Sequence, residues 1–218
     1  MASQLDIYNL AIGRVGSDKT VAALNENSKE ARLCNRNYAQ CRDEVMESAA
    51  FPFAVKVKAL ASVTPNLQLD GWAYQFAKPD DCLRILEVGP LSEAGASIGY
   101  WGGCCGGPWD SYKREGMFAY RLMLADDGNS SVILANNQQS YITYVAKVTN
   151  AAVFSPMMVS TIADRLSMEL ALPLTASSNW LQVAMTRYNN SFNVNANIQY
   201  DQQDNGPDPM PASILARN

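Results

Sequence analysis

Residues 31–61 read ARLCNRNYAQCRDEVMESAAFPFAVKVKALA. Ala31, Cys34, Tyr38, Cys41 and Val45 recur at alternating steps of three and four, which places them on one stripe of a helix. Arg32, Arg36, Gln40, Asp43, Glu44 and Glu47 fall mostly on its other faces. The pattern predicts a helix over 28–49, with Asn27 as its cap and Glu30 three residues on. Pro52 then breaks the regular pattern. Phe51 and Phe53 either anchor this corner in the core or stand exposed as an aromatic binding site. Cys34 and Cys41 lie two helical turns apart, about 10 Å on an ideal rise, too far for a disulfide or a shared metal without distortion. They read as small core residues.

Working outward from this helix, residues 3–15 predict another. Ser3 and Asp6 have capping-box spacing, and Ile7, Leu10, Ala11 and Val15 follow at helical steps. Residues 155–175 predict a third, with Ser155 as cap and Pro156 in the first position, where its missing N–H costs little. Met158, Ile162, Leu166 and Leu170 form its stripe, and Pro173 is expected to kink or end it. Residues 178–200 predict the last helix, with Leu181, Met185, Tyr188, Phe192 and Asn195 on one side. Asn195 is either a partnered polar residue or a sign that the stripe fades.

Residues 70–150 have a different texture. WAYQF, CLRILEV, MFAYRLML, SVILA and SYITYVAKV are short runs rich in β-branched and aromatic residues, separated by turn-formers in KPDD, DDGNSS and ANNQQ. The expected fold is therefore α+β: a helical bundle of about four helices, with an inserted β-rich domain of sandwich or barrel-like form and an extended C-terminal tail. The expected division is 1–69 with 151–200 for the helical domain, 70–150 for the insertion and 201–218 for the arm.

Composition narrows the function classes. The 218-residue chain carries a formal charge of −4, and it has no basic cluster longer than KVK at Lys56–Lys58. Tight binding to duplex DNA needs clustered cations to neutralise phosphates, so this balance argues against it. Histidine is absent from the sequence. That removes the usual general base near neutral pH, the Ser-His-Asp and Cys-His nucleophiles, and every His-containing zinc site. No apolar run approaches the roughly 20 residues that span a bilayer. MASQLDIYNLAIGRVG at residues 1–16 has neither a basic leader nor a signal-peptide core, which points to a protein made and used in a cytoplasm. The five cysteines show no disulfide-framework spacing, so reduced thiols are the expectation.

Two further stretches raise their own questions. YWGGCCGGPW at 100–109 sets adjacent Cys104 and Cys105 between glycine pairs and two tryptophans. A vicinal pair closes a disulfide only with strain, and it is not a C-x-x-C redox motif. A zinc site would need two more ligands, and Cys82 is the one candidate in reach. The expected reading is a loop between strands whose Trp101 and Trp109 pack on the sheet or on a neighbour. From Asp201 the chain reads DQQDNGPDPMPASILARN, too polar and proline-rich for a core. Its Ile214 and Leu215 suit an arm that orders on a neighbour; a frayed terminus is the alternative.

The order helix, helix, β-insert, helix, helix, tail resembles the head-to-tail adaptors of short-tailed bacteriophages, called tail tubular protein A or the gatekeeper. Three stretches carry the resemblance, which covers roughly residues 3–200. The 31–61 stretch is similar to the family's helix that runs into an aromatic-Pro-aromatic-Ala corner, here Phe51, Pro52, Phe53 and Ala54, with Phe53 where a tryptophan is common. WAYQFAKPDDCLRILEV is similar to the strand, Pro-x-Asp-Cys turn and strand that open the insert. YITYVAKVTNAAVFSPMMVSTIADRLSMELALPLTAS is similar to the last insert strand leading into the family's "LA…LA" helix. That repeat is only partly kept here, and YVAKVTN lacks the acidic residue usual before the helix. The resemblance implies a virion structural protein, assembled in the host cytoplasm, that forms a ring, dodecameric in most members. Its partners would be further copies of itself, the portal protein, the tail nozzle and, as a further candidate, a tail fibre. Double-stranded DNA would pass through without sequence-specific binding, and the ring would help to retain the packaged genome. No enzymatic activity, catalytic residue, cofactor or metal follows from it; Trp101, Trp109, Ile214 and Leu215 are the candidate interface residues. A head-completion or tail-terminator connector is the alternative, and a thiol or metal module on Cys104 and Cys105 the more distant one.

Overall fold

A computed structural model describes residues 2–63, 71–90, 119–125 and 128–201. Four helices carry the first core: α1 (Gln4–Arg14), α2 (Lys29–Ser48), α3 (Pro156–Thr175) and α4 (Ser178–Asp201). Each of the first three starts where side-chain chemistry satisfies its free amides. Ser3 and Asp6 close a reciprocal capping box on α1, and Ser155 caps α3 ahead of Pro156. On α2 the cap is Ser28, whose Oγ accepts from the Ala31 amide at 3.2 Å, so the expectation for Asn27 is corrected by one position. Glu30 is not free to complete a box there: it is buried and accepts from Lys19 Nζ at 3.0 Å. Pro173 does not end α3, which runs two residues further and stops at Ala176 in the left-handed region (φ 53°).

The predicted stripes of α2 and α3 are core, whereas on α1 Ile7, Ala11 and Val15 are buried but Leu10, expected beside them, is exposed. Ala31, Cys34, Tyr38, Cys41 and Val45 are all buried, as are Met158, Ile162, Leu166 and Leu170. They meet Ile7, Tyr8, Ala11 and Ile12 of α1 in one apolar cluster that includes Phe51. Tyr38 sits at its centre, edge-on to Tyr8 with ring centroids 5.4 Å apart. The α4 stripe needs one correction. Leu181, Tyr188 and Phe192 pack on the cluster, but Met185 is exposed. At 100° per residue, Met185 is turned towards the edge of the packed face rather than its middle.

Between α2 and α3 lie two antiparallel sheets of three strands. The first has the order β1 (Val55–Ala59), β6 (Ser140–Ala146), β3 (Cys82–Pro90); the second has β2 (Tyr74–Ala77), β5 (Ser131–Ala135), β4 (Arg121–Leu124). Among the described residues they do not close into a barrel, which corrects the barrel-like option. Strand β1 is an addition, because its Lys-Val-Lys alternation lies before the β-rich region read from the sequence. It pairs with β6 from Val55↔Val145 to Ala59↔Tyr141. A second apolar cluster draws Phe76, Ile133 and Ala135 from one sheet and Val88, Ile142, Tyr144 and Ala146 from the other.

Candidate functional site

Trp101, Trp109, Cys104 and Cys105, with Ile214 and Leu215, lie outside the described residues. The three thiols inside them are buried. Burial pushes Cys34 and Cys41 up to about 12 and raises Cys82, which keeps them as protonated, unreactive packing groups. Among the described residues no cluster of three or more His, Cys, Asp or Glu side chains could hold a metal. The aromatic corner is an anchor. Phe51 is buried and stacks on Phe53 at 5.9 Å, and Phe53 leans on Phe154 at 5.8 Å.

The site that the fold assembles is elsewhere. An open groove of about 750 Å³ has Met157, Ser160 and Asp164 of α3 along it, Arg14 of α1 on one side, and a line of α4 residues from Asn179 to Val194 on the other. Arg14 and Asp164 meet there although 150 positions separate them in sequence. Arg14 Nη1 lies 2.7 Å from Asp164 Oδ1 and donates to the Ser160 carbonyl at 2.7 Å, while Nη2 donates to Ser160 Oγ at 2.6 Å. Asp164 is 1% exposed. Burial raises its carboxyl above the ordinary carboxylate range, against the pull of a Ser191 hydrogen bond and of Arg14 and Arg187. Burial likewise lowers Arg14, with Asp164 opposing. The pair fixes the end of α1 on α3, since a lone charge at either position would be costly.

The α4 wall has an unusual surface. Along SNWLQVAMTRYNNSFNVNANIQYD the charged residues are Arg187 and Asp201 alone. Trp180, Val183, Met185, Val194 and Ile198 are all exposed. Trp180, Val183, Arg187, Val194 and Ile198 follow steps of three, four, seven and four, one line along the helix. Between them stand amides and hydroxyls: Gln182, Thr186 and Asn190. Asn195, the polar member of the predicted stripe, is partnered. It is fully buried and donates to Thr161 Oγ1 at 3.3 Å and Met158 Sδ at 3.6 Å, which fixes the lower half of α4 on α3.

Chemically the groove offers a neutralised ion pair, hydroxyls, amides and apolar side chains. Arg187 adds a further cation to the groove lining, and beyond the groove the rest of the α4 face, with Trp180 exposed on it, is poor in charge, as the centre of a protein contact is. Arg14, Asp164, Arg187 and Trp180 did not stand out in the sequence as site residues. The one signal that could have found this wall was the run of uncharged residues on either side of Arg187. No protein-family model matches the chain, and no curated protein matches it.

Proposed function

We propose that the chain is a structural head-to-tail adaptor of a short-tailed phage, a ring-forming subunit between portal and nozzle rather than an enzyme. The observation that carries the reading is α4, a 24-residue helix whose outer surface is nearly free of charge and sets exposed Trp180, Val183, Met185, Val194 and Ile198 among amides and hydroxyls. A monomer gains nothing from such a surface, whereas a subunit with neighbours buries it. The order of elements supports the same reading, with a β-rich insert held between two pairs of helices. The apolar cluster shared by the two sheets supports reading that insert as a small sandwich, whose first sheet also packs on the helices through Val145, Leu83 and Leu86. No helix among the described residues is long and apolar enough to cross a membrane. A ring of this kind joins unlike faces of successive subunits and closes when the rotation permits.

The test is the mass and shape of the particle, by native mass spectrometry and negative-stain imaging, with and without a portal protein. A ring near a dodecamer that binds portal is the expected result. A hexamer would turn the assignment to a tail terminator, and thiol-dependent turnover would replace it with an enzyme.

A further inference from the structure

The groove between α1, α3 and α4 holds one cation in surplus. Arg14 Nη1 pairs with Asp164 Oδ1 at 2.7 Å, and Arg187 acts on the same carboxylate through space. Among the described residues no other acid or base lines the groove. One buried anion therefore faces two guanidiniums. Helix α4 also ends on the groove's own face. From Arg187, positions 190, 194, 198 and 201 follow at steps of three, four, four and three, the spacing of one helical face. Val194 is 48% and Ile198 41% exposed on that line. The sequence then reads QQDNGPD at 202–208, outside the described residues. Asp204 and Asp208 are its charges, and the next cation is Arg217. Pro207 and Pro209 favour an extended path on either side of Asp208.

We propose that residues 202–208 fold back along α4 of their own chain as a strap, with Asp208 on Arg187 and Asn205 beside Val194. Asp208 then supplies the second anion, so that two carboxylates meet two guanidiniums. The spans agree. Arg187 to Val194 is seven helical residues, about 10 Å, and Asn205 to Asp208 is three extended residues, also about 10 Å. Asp201 stands about 21 Å of helix from Arg187, and the seven residues to Asp208 reach about 23 Å when extended. Reach and face together select the chain's own groove, because the same seven residues would otherwise have to cross a subunit boundary as well. Asn190 of the groove wall offers its side-chain amide to an extended backbone, which has no hydrogen bonds of its own. The strap covers Val194 and Ile198 and leaves Trp180, Val183 and Met185 open to a neighbour, so it stands independently of the ring reading.

The experiment uses the full chain in a Cys104→Ser/Cys105→Ser background, where the remaining described thiols are buried. Val194→Cys is combined with Asn205→Cys, and Asn189→Cys with Asn205→Cys serves as the control, since position 189 lies on the opposite face of α4. Under a mild oxidant the first pair is expected to form a disulfide within single chains of 23.8 kDa at least tenfold faster than the control. Adding Arg187→Glu should slow it at least tenfold, and adding Asp208→Arg to that variant should restore much of the rate. Arg187→Gln gives a milder form of the same loss, and circular dichroism checks that each variant is folded. Equal rates for the two pairs, or a rate indifferent to Arg187, would overturn the proposal. Cross-links found mainly between chains would overturn it too, by moving the segment onto another copy's groove. Portal binding measured on the same samples judges the adaptor reading separately.

Discussion

Helices α2 and α4 are both long, both lie against α3, and are finished in opposite ways. The outer surface of α2 carries Lys29, Arg32, Arg36, Asp43, Glu44 and Glu47, and much of that charge is matched within the chain. Asp43 accepts from Arg42 and pairs with Lys147 at 2.7 and 2.8 Å, and Arg165 of α3 reaches Glu44 at 2.7 Å. Its inner surface holds Tyr38, whose hydroxyl finds no hydrogen-bond partner among the described residues and whose ring lies 5.6 Å from the Arg42 guanidinium carbon. Helix α4 holds its own core side with Asn195 and Phe192, yet its outer side has one cation and a row of apolar groups. The first helix is complete in the monomer. The second leaves Trp180, Val183, Met185, Val194 and Ile198 exposed. Stability and association should therefore respond to different residues, and that separation can be broken deliberately.

The largest effect is expected from Tyr38→Ala, which truncates the centre of the α2 stripe. Loss of a large buried aromatic costs about 3–5 kcal/mol, read as a fall in urea midpoint or Tm. A Tm within a few degrees of wild type would mean that α2 is not the structural helix of the pair. Next is Arg14→Met, which strips the counter-ion from Asp164. Breaking a buried pair from one side costs about 3–5 kcal/mol, less here because Arg14 keeps some solvent. Adding Asp164→Asn should restore much of that loss, and additive losses would show that the two residues act separately.

A gentler perturbation is pH. Burial raises the native pKa of Asp164, so in the window above the unfolded carboxylate range the native state binds more protons than the unfolded one. Stability from this group then falls as pH rises through its native pKa and is regained as pH is lowered. The lowered carboxyls of Asp6, Glu30 and Asp81 act in the opposite sense, being lost as pH falls. Comparison with Asp164→Asn isolates the one group: wild type should gain on the variant as pH drops from 7 towards 4. A difference that stays flat across that range would remove Asp164 from the account. The smallest effect on folding is expected from Val183→Ser, within about 0.5 kcal/mol as for an exposed site, while its assembly weakens. Equal damage to Tm from Val183→Ser and Tyr38→Ala would erase the contrast between the helices.

How much of this was readable in advance follows from range. Ser3 with Asp6, the Ala31–Val45 stripe and Ser155 with Pro156 are signals within a few positions, and their helices lie where the spacing put them. Cap identity failed by one residue, because Asn27 and Ser28 are both good caps and Lys19, eleven positions before Glu30, takes the carboxylate that would have decided between them. Strand β1 was missed because its burial comes from one neighbour: its pattern is one half-buried position and four exposed ones, and only β6, far downstream, makes it a strand. Asp164 was hidden for a similar reason. It sits between Ile162 and Leu166 with no local signal of its own, and the arginine that explains it lies on another helix. The α4 face was legible as composition, but which residues border the groove depended on how α1 and α4 flank α3.

The register of β1 on β6 also sets a schedule. Val55 and Val145 are partners, roughly ninety positions apart, and α1 and α2 wait still longer for α3 to seal their core. Contacts this distant close large loops before they return any stabilisation, which slows folding. As the chain leaves a ribosome, β1 is present as VKVKA long before β6, with an open strand edge. Lys56 and Lys58 sit on that strand, and charge on an edge discourages pairing with stray strands. Once β6 and the turn at Asp81 arrive, Lys56 swings into a 2.8 Å ion pair with Asp81. A residue that guards the waiting strand thus becomes a clasp on the finished sheet.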